Sequence, residues 1–409
     1  MARKPRILVL SSSWPRGGAF GGQLRALHLG RALKAIGEVT FVVATSDADD
    51  EESMRQTAEE FEVLEPVRLI TTPNRGLADK LRWALDPRYL NVHGCGATTG
   101  DSERVFAAAS EHDLVWLLNS RTPNVLRRWH WPRSHLDIDD VPSTYAYHQA
   151  AACPGITTLG KWRARIQQHL LRRRESHFKG RFSTLSVCSQ NDWHYLGGGE
   201  QLHIIPNGFQ QPALPPLRAL LPTQPRIGFI GLYSYAPNGD GVRWFLKECW
   251  PAIRAALPGI RLRLIGKDTD GPLRPTDPDV DALGWVADSA QEIATWSSMI
   301  VPIRFGGGTR IKIAEAFSRK CPAVSTHLGA FGYELTDRKQ LRLADDPAAF
   351  AQACIETVRF PSEAAAMAER AWIEFLEKWT WDAIAPKVWA ATEDSLRRNR
   401  RPRDVAVAD

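Results

Sequence analysis

The stretch Arg304-Phe305-Gly306-Gly307-Gly308-Thr309-Arg310-Ile311-Lys312-Ile313-Ala314-Glu315 runs from an apolar strand through three glycines into a helix whose first turn carries two cations. A helix N-terminus behaves as roughly half a positive charge, so each of these cations costs about a few tenths of a kcal/mol unless an anion sits there. A bound phosphate reverses the sign. N–H groups at the helix start, glycines that let the backbone approach closely, and Arg or Lys supplying charged donors together make an anion site. The segment reads as a diphosphate cradle, against the competing reading of a glycine turn with solvated cations.

Working outward, short apolar runs alternate with helical-period segments: Ile7–Leu10, Val39–Val43, Val67–Ile70, Leu114–Leu118, Leu136–Ile138 and Leu185–Val187. This alternation predicts βαβ units and a parallel sheet. It begins afresh at Arg226–Gly231 and continues through Leu262–Ile265, Ile300–Ile303 and Ala323–Ser325. Pro206-Asn-Gly-Phe-Gln-Gln-Pro-Ala-Leu-Pro-Pro between the two series has the composition of a linker. Two Rossmann-like α/β domains are expected, over residues 1–205 and 225–380, joined by a linker at 206–224. Open α/β sheets bind ligands at the carboxyl ends of their strands, so the two domains are expected to face a shared cleft.

A chain of 409 residues with 44% hydrophobic and 24% charged side chains suits a soluble two-domain protein. No run of about eighteen apolar residues occurs, and Met1-Ala-Arg-Lys-Pro5 leads straight into Arg6-Ile-Leu-Val-Leu10, so neither a membrane span nor a secretory signal is expected. Cys95, Cys153, Cys188, Cys249, Cys321 and Cys354 show no C-x-x-C and no zinc spacing, which fits a reducing cytoplasm. Of the net charge of +6, half lies in the segment Leu396–Asp409, where five arginines stand against two aspartates. Nucleic-acid binding is not expected, because no basic face interleaved with aromatics appears. His28, His112 and His148 are isolated and receive no chemistry.

In the first half, Ser11-Ser-Ser-Trp-Pro-Arg-Gly-Gly-Ala-Phe-Gly21-Gly22 follows the first strand and precedes a helical stretch. It lacks the G-x-G-x-x-G spacing, so a nicotinamide cofactor is not supported. Asp137-Ile-Asp-Asp140 resembles a metal-holding D-x-D, but its distance in sequence from the cradle argues for a cleft-edge or helix-capping role. Trp162, Ile166, Leu170 and Phe178 form a broken apolar stripe among Arg163, Arg165, Arg172, Arg173, Arg174, Lys179 and Arg181. Core packing with a solvated basic face and docking on anionic lipid headgroups are the two readings of that helix.

Together, Gly21-Gly22, Ile205-Pro-Asn-Gly208, Phe229-Ile-Gly231 through Phe245, Leu264-Ile-Gly-Lys267, Leu283-Gly-Trp-Val286, and Pro302 through Ala316 with Cys321–Thr326 resemble the retaining GT-B glycosyltransferases of the family 4 type. Within it they are most similar to the exopolysaccharide and exosortase-associated sugar transferases. The resemblance implies a GT-B fold with a C-terminal helix, residues 381–396, returning to the first domain ahead of a basic tail at 397–409. Phe375–Ile384, with Trp379 and Trp381, would anchor that crossing. It further implies that Glu315 holds the ribose hydroxyls of a nucleotide diphosphate sugar, that Val286 lies beside the nucleobase, and that Gly231 and the loop Gly307, Gly308 and Thr309 approach the donor.

Departures accompany the likeness. Gly307 occupies the position of the family's first motif glutamate, and the usual Arg and Lys after the first strand of the second domain are Leu232 and Asn238. The first-domain strand that often ends in histidine ends in Asn119-Ser120. Arg304, Arg310 and Lys312 are therefore expected to neutralise the diphosphate, with Arg310, Lys312 and Glu315 carrying catalysis and no metal or other cofactor. The implied function is transfer of a hexose-type sugar, with retention, to a glycan or polyprenyl-linked acceptor in polysaccharide biosynthesis. The expected location is cytoplasmic, peripheral on the inner face of the plasma membrane. A nucleotide-sugar epimerase of the same fold and a non-catalytic sugar-nucleotide-binding subunit are the alternatives.

Overall fold

A computed structural model describes residues 3–17, 21–46, 50–71, 76–87, 94–152, 157–214, 218, 224–272 and 274–400. Loop residues 18–20, Cys153, linker residues 215–217 and 219–223, and the arginine tail past residue 400 lie outside the described residues. The chain divides into two compact units, the first comprising residues 1–147, 157–206 and the chain from Ile384, the second residues 148–156 and 207–383.

The first unit is built on a sheet whose strands are β1 (Arg6–Ser11), β2 (Glu38–Thr45), β3 (Glu62–Val63), β4 (Val67–Arg68), β7 (Leu114–Leu118), β8 (Ser134–Asp137), β9 (Thr184–Val187) and β10 (Leu202–Ile204). Their order is β10-β9-β8-β7-β1-β2-β3, with β4 also on β2, and every pairing is parallel. Consecutive residues Ile7–Leu10 and Leu114–Leu117 are all 0% exposed. A half-solvated strand would alternate, so unbroken burial means that both faces of these strands are covered, as parallel sheets require. The run Val67–Ile70 departs from a single strand: Val67–Arg68 pairs with β2, whereas Ile70 and Thr71 (β5) form an antiparallel ribbon with Cys95–Gly96 (β6). Ile70 is 45% exposed, which explains why it does not continue a buried strand.

The second unit holds β11 (Arg226–Ile230), β12 (Arg261–Ile265), β13 (Val280–Gly284), β14 (Ser298–Val301), β15 (Ala323–Ser325) and β16 (Arg342–Leu343). Their order β13-β12-β11-β14-β15-β16 is wholly parallel. One apolar cluster gathers Phe229, Phe245, Trp250 and Phe350, the other Trp296, Phe317, Trp372, Phe375 and Trp379. At the end of the second unit, Phe209 N–H donates to the Trp379 carbonyl at 2.9 Å, and Phe209 and Thr380 form a parallel bridge. The final helix, Trp381–Arg400, then lies on the first unit from Ile384: Trp389 Nε1 donates to the Ala32 carbonyl at 2.8 Å, and Asp394 meets His203 at 3.1 Å.

Candidate functional site

The cradle lies in the second unit, between the buried end of β14 and the helix Ile311–Ser318. Its turn is possible because Gly306 and Gly308 adopt φ of 123° and 66°, a region costly for residues with a Cβ. Arg310 stands at the N-cap, and no side chain caps the helix. Its guanidinium Nη1 instead donates to the Gly307 carbonyl and, at 2.9 Å, to that of Gly308. In a trans peptide the C=O and N–H point opposite ways, so the amides of Gly308 and Thr309 are directed away from this guanidinium. The loop is further held by Asn207 Nδ2, which donates to Thr309 Oγ1 at 3.0 Å, and by the Tyr333 hydroxyl, which donates to the Arg310 carbonyl at 3.2 Å.

Lys312 reaches back from the first helical turn toward the end of β11. Its ammonium donates to Asn238 Oδ1 at 2.8 Å and lies 4.2 Å from the centre of the Phe229 ring. Asn238 in turn donates to the Leu232 carbonyl at 2.9 Å. Gly231 makes room for this arrangement, since a Cβ there would come within 2.8 Å of the Asn238 amide and 3.2 Å of the ammonium. Positions 232 and 238, where the resemblance placed cations, are thus apolar and amide, yet a positive charge supplied by the cradle helix sits in hydrogen-bond contact with position 238. Burial, reinforced by the Arg310 charge and opposed by Glu315, brings the Lys312 ammonium down to about 7.

Glu315, one turn further along, is 9% exposed. Burial pushes its carboxyl up to about 7 against the pull of Arg319, Lys312 and the Ser289 hydroxyl. Ser289 opens the short helix Ser289–Ile293, just after β13. Val286, on the same connection, packs partly buried against the cluster containing Phe317, while the neighbouring Trp285 is 72% exposed. Gly231, Val286, Gly307, Gly308, Thr309, Arg310, Lys312 and Glu315 all belong to this unit. A Lys and a carboxyl that both titrate near neutrality, beside amides at a helix start, form a site whose charge an anionic, hydroxyl-bearing ligand would complete.

Arg304 is paired inside this unit. Its Nε and Nη2 engage the two Asp240 oxygens at 3.0 and 2.7 Å, and the guanidinium rests over Trp244 at 5.7 Å. That bidentate pair balances the Arg304 charge with Asp240 within the protein. Sequence reading also passed over His148, whose Nδ1 meets the Gly306 carbonyl at 2.9 Å and whose ring edge meets Phe331 at 6.0 Å, both within the second unit. Burial and the Arg310 charge lower the His148 pKa, and a neutral ring with its proton on Nδ1 satisfies the carbonyl. Contacts spanning more than a hundred residues leave no local trace in sequence.

Gly21 and Gly22 belong to the first unit, where they begin the helix Gly21–Ile36. Gly22 lines a small cavity, about 50 Å³, with Ser11–Ser13, Arg25, Asn119, Asp137 and Asp139. Asp137 is engaged on both oxygens: Arg25 donates to them at 2.6 and 2.7 Å and the Ser186 hydroxyl adds a bond of 2.6 Å. Arg25 also donates to the carbonyls of Ile205 and Pro206. Burial would lower the Arg25 pKa, but the Asp137 carboxylate overrides it and holds the guanidinium charged. The first aspartate of the D-x-D sequence is therefore a fully matched structural anion.

Residues 224–359 match the sequence profile of the family described as Glycosyl transferases group 1, a span that contains the whole cradle. No curated protein matches the chain in sequence. Among solved structures, a sucrose-phosphate synthase from Thermosynechococcus elongatus is similar with a TM-score of 0.66 at 17% identity, over 95% of this chain and 98% of that one. Anabaena HepE in complex with UDP-glucose gives 0.61 at 15%, over 95% and 99%. A glycosyltransferase from Rickettsia africae gives 0.63 at 11%, over 97% and 100%. At such identities the likeness establishes the fold: two parallel-sheet α/β domains of the GT-B kind.

Proposed function

We propose that this chain is a glycosyltransferase that moves a hexose-type sugar from a nucleotide diphosphate donor to a glycan or polyprenyl-linked acceptor, with retention at the anomeric carbon. The observation that carries the reading is the half-buried Lys312, held on Asn238, and the buried Glu315 beside an uncapped, glycine-led helix start, within the stretch that matches the glycosyl transferases group 1 profile. In the reaction the bond from the anomeric carbon to the β-phosphate oxygen breaks, a bond to the acceptor oxygen forms, and the acceptor proton leaves with the diphosphate or to water. Negative charge grows on the leaving oxygen. Lys312 and the N–H groups of Gly308 and Thr309 stabilise it, and Arg310 holds the loop carbonyls so that those amides stay aimed. Glu315, ionised by the bound donor's hydroxyls, accepts hydrogen bonds from the ribose diol, while Val286 flanks the base.

These fixed donors take the part of a metal clamp, so transfer is expected to persist in excess chelator. UDP-glucose, the ligand in the HepE structure, is the first donor to test. Purified protein incubated with a panel of nucleotide diphosphate sugars and a lipid-linked glycan should release nucleoside diphosphate and lengthen the acceptor. Gly307, in place of an acidic residue, favours one second reading, a non-catalytic sugar-nucleotide-binding subunit. Donor binding with no turnover on any acceptor would select it and reject the transferase. Work on a polyprenyl-linked acceptor would place the protein on the inner face of the plasma membrane.

A further inference from the structure

Two helices of the first unit present an apolar surface that the fold does not use. The helix Leu77–Leu85 has no buried residue at all. Its leucines at 77, 81 and 85 recur every four residues on one face and are 74, 53 and 71% exposed. The helix Thr158–Glu175 buries only Glu175 and exposes Leu159, Trp162 and Ile166, again on one face. Core packing accounts for the lower part of the stripe read from sequence, where Phe178 is 7% exposed, but not for Trp162 and Ile166. The two helices are joined near their C-terminal ends: the Arg174 guanidinium lies 4.6 Å over the Trp83 ring and donates to the carbonyls of Trp83, Asp86 and Pro87.

Charge identifies the occupant. The helix Thr158–Glu175 carries six cations, Lys161, Arg163, Arg165, Arg172, Arg173 and Arg174, against the single carboxylate of Glu175, which is buried and turned inward to Ser143. A second copy docked helix to helix about a two-fold axis would bring these like charges together, and an uncharged bilayer offers the cations no partner. Exposed leucines and a tryptophan beside lysines and arginines are the composition that lies in the interface of an anionic bilayer. We propose that Leu77–Leu85 and Thr158–Glu175 form the surface by which the protein docks on an anionic lipid bilayer, the leucines entering the headgroup boundary and the cations meeting lipid phosphates. This deepens the proposed reading of a lipid-linked acceptor, and rests on it only for the purpose the docking would serve.

The test is co-sedimentation of the full chain with vesicles of phosphatidylcholine alone and of an equal mixture with phosphatidylglycerol, at low and high salt. Binding is expected on the mixture only, weakening with salt. Replacing Lys161, Arg163 and Arg165 together by Gln should lower the affinity by about a hundredfold, given the usual contribution of each basic residue near a charged membrane. Replacing Leu77, Leu81 and Leu85 by Gln, a good helix former, should lower it by about tenfold or more without altering the melting temperature, since none of the three is buried. Amide exchange in wild-type protein should slow across both helices on the anionic vesicles. Equal binding to phosphatidylcholine alone, an unchanged affinity in the Gln variants, or amide exchange at these helices indifferent to vesicles would overturn the proposal. So would a concentration-dependent dimer abolished by the leucine replacements, which would give the face to a second copy. Donor turnover on a soluble acceptor keeps the two readings apart: vesicle binding without any sugar transfer refutes the transferase and leaves the docking standing, and the leucine variant should retain that turnover.

Discussion

Each unit withdraws ionisable groups wholly or partly from water at the carboxyl end of its sheet, and the two do so in opposite ways. In the first, Arg25 and Asp137 meet through two short bonds, with Ser186 and two backbone carbonyls completing the set. In the second, Lys312 finds an amide oxygen and Glu315 a serine hydroxyl, and burial drags both toward neutrality. A matched pair holds structure together and has little left to offer a ligand. Groups buried without an opposite charge in direct contact are costly for folding and become useful when a ligand supplies what is missing.

That contrast is open to direct attack. The largest effect on folding is expected from Asp137→Ala, which strands a buried guanidinium and should lower stability by about 3–5 kcal/mol, read by denaturant unfolding. Lys312→Ala should leave the fold intact and cut transfer by two to three orders of magnitude, about 3–4 kcal/mol in the barrier, with Arg310→Ala close behind. Near wild-type rates at saturating donor in both variants would mean that neither Lys312 nor the loop held by Arg310 acts on the leaving group.

Glu315→Gln sharpens the comparison through pH. A carboxyl raised from the ordinary range to about 7 stabilises the fold fully below its unfolded pKa and loses that contribution as pH climbs through about 7. The variant lacks this loss, so it should match wild type near pH 4.5 and exceed it above pH 7, by at most about 3 kcal/mol. A stability difference that does not move with pH would mean that Glu315 is not buried as described. In the same window kcat/KM should be bell-shaped, falling in acid as Glu315 protonates and in base as Lys312 loses its proton. The smallest effect on catalysis is expected from Arg304→Met: with Asp240 as its partner, its loss should show mainly as a lower melting temperature, and transfer should fall far less than in Lys312→Ala.

How much of this was legible in sequence follows from how local each feature is. Ile7–Leu10 and Leu114–Leu118 announce buried parallel strands because every residue in them is apolar, and the cradle is legible because glycines and cations lie within a dozen residues. The contact between Lys312 and Asn238 spans 74 residues, and that of Arg304 with Asp240 spans 64, so nothing in either neighbourhood reveals them. The helix Leu77–Leu85 went unremarked for another reason: its apolar period looks like that of any core-facing helix, and only its exposure in the fold shows that no core receives it.

The return of the final helix also bears on how the protein is made. Trp389 on Ala32 and Asp394 on His203 belong to the first unit, yet they are synthesised after the whole of the second. Emerging N-terminus first, the chain completes the second unit, residues 207–383, while the groove for Ile384, Val388 and Ala391 still waits empty. On the ribosome the first unit is therefore begun first and finished last, and its exposed apolar groove is the part of the nascent chain that a chaperone would have reason to hold.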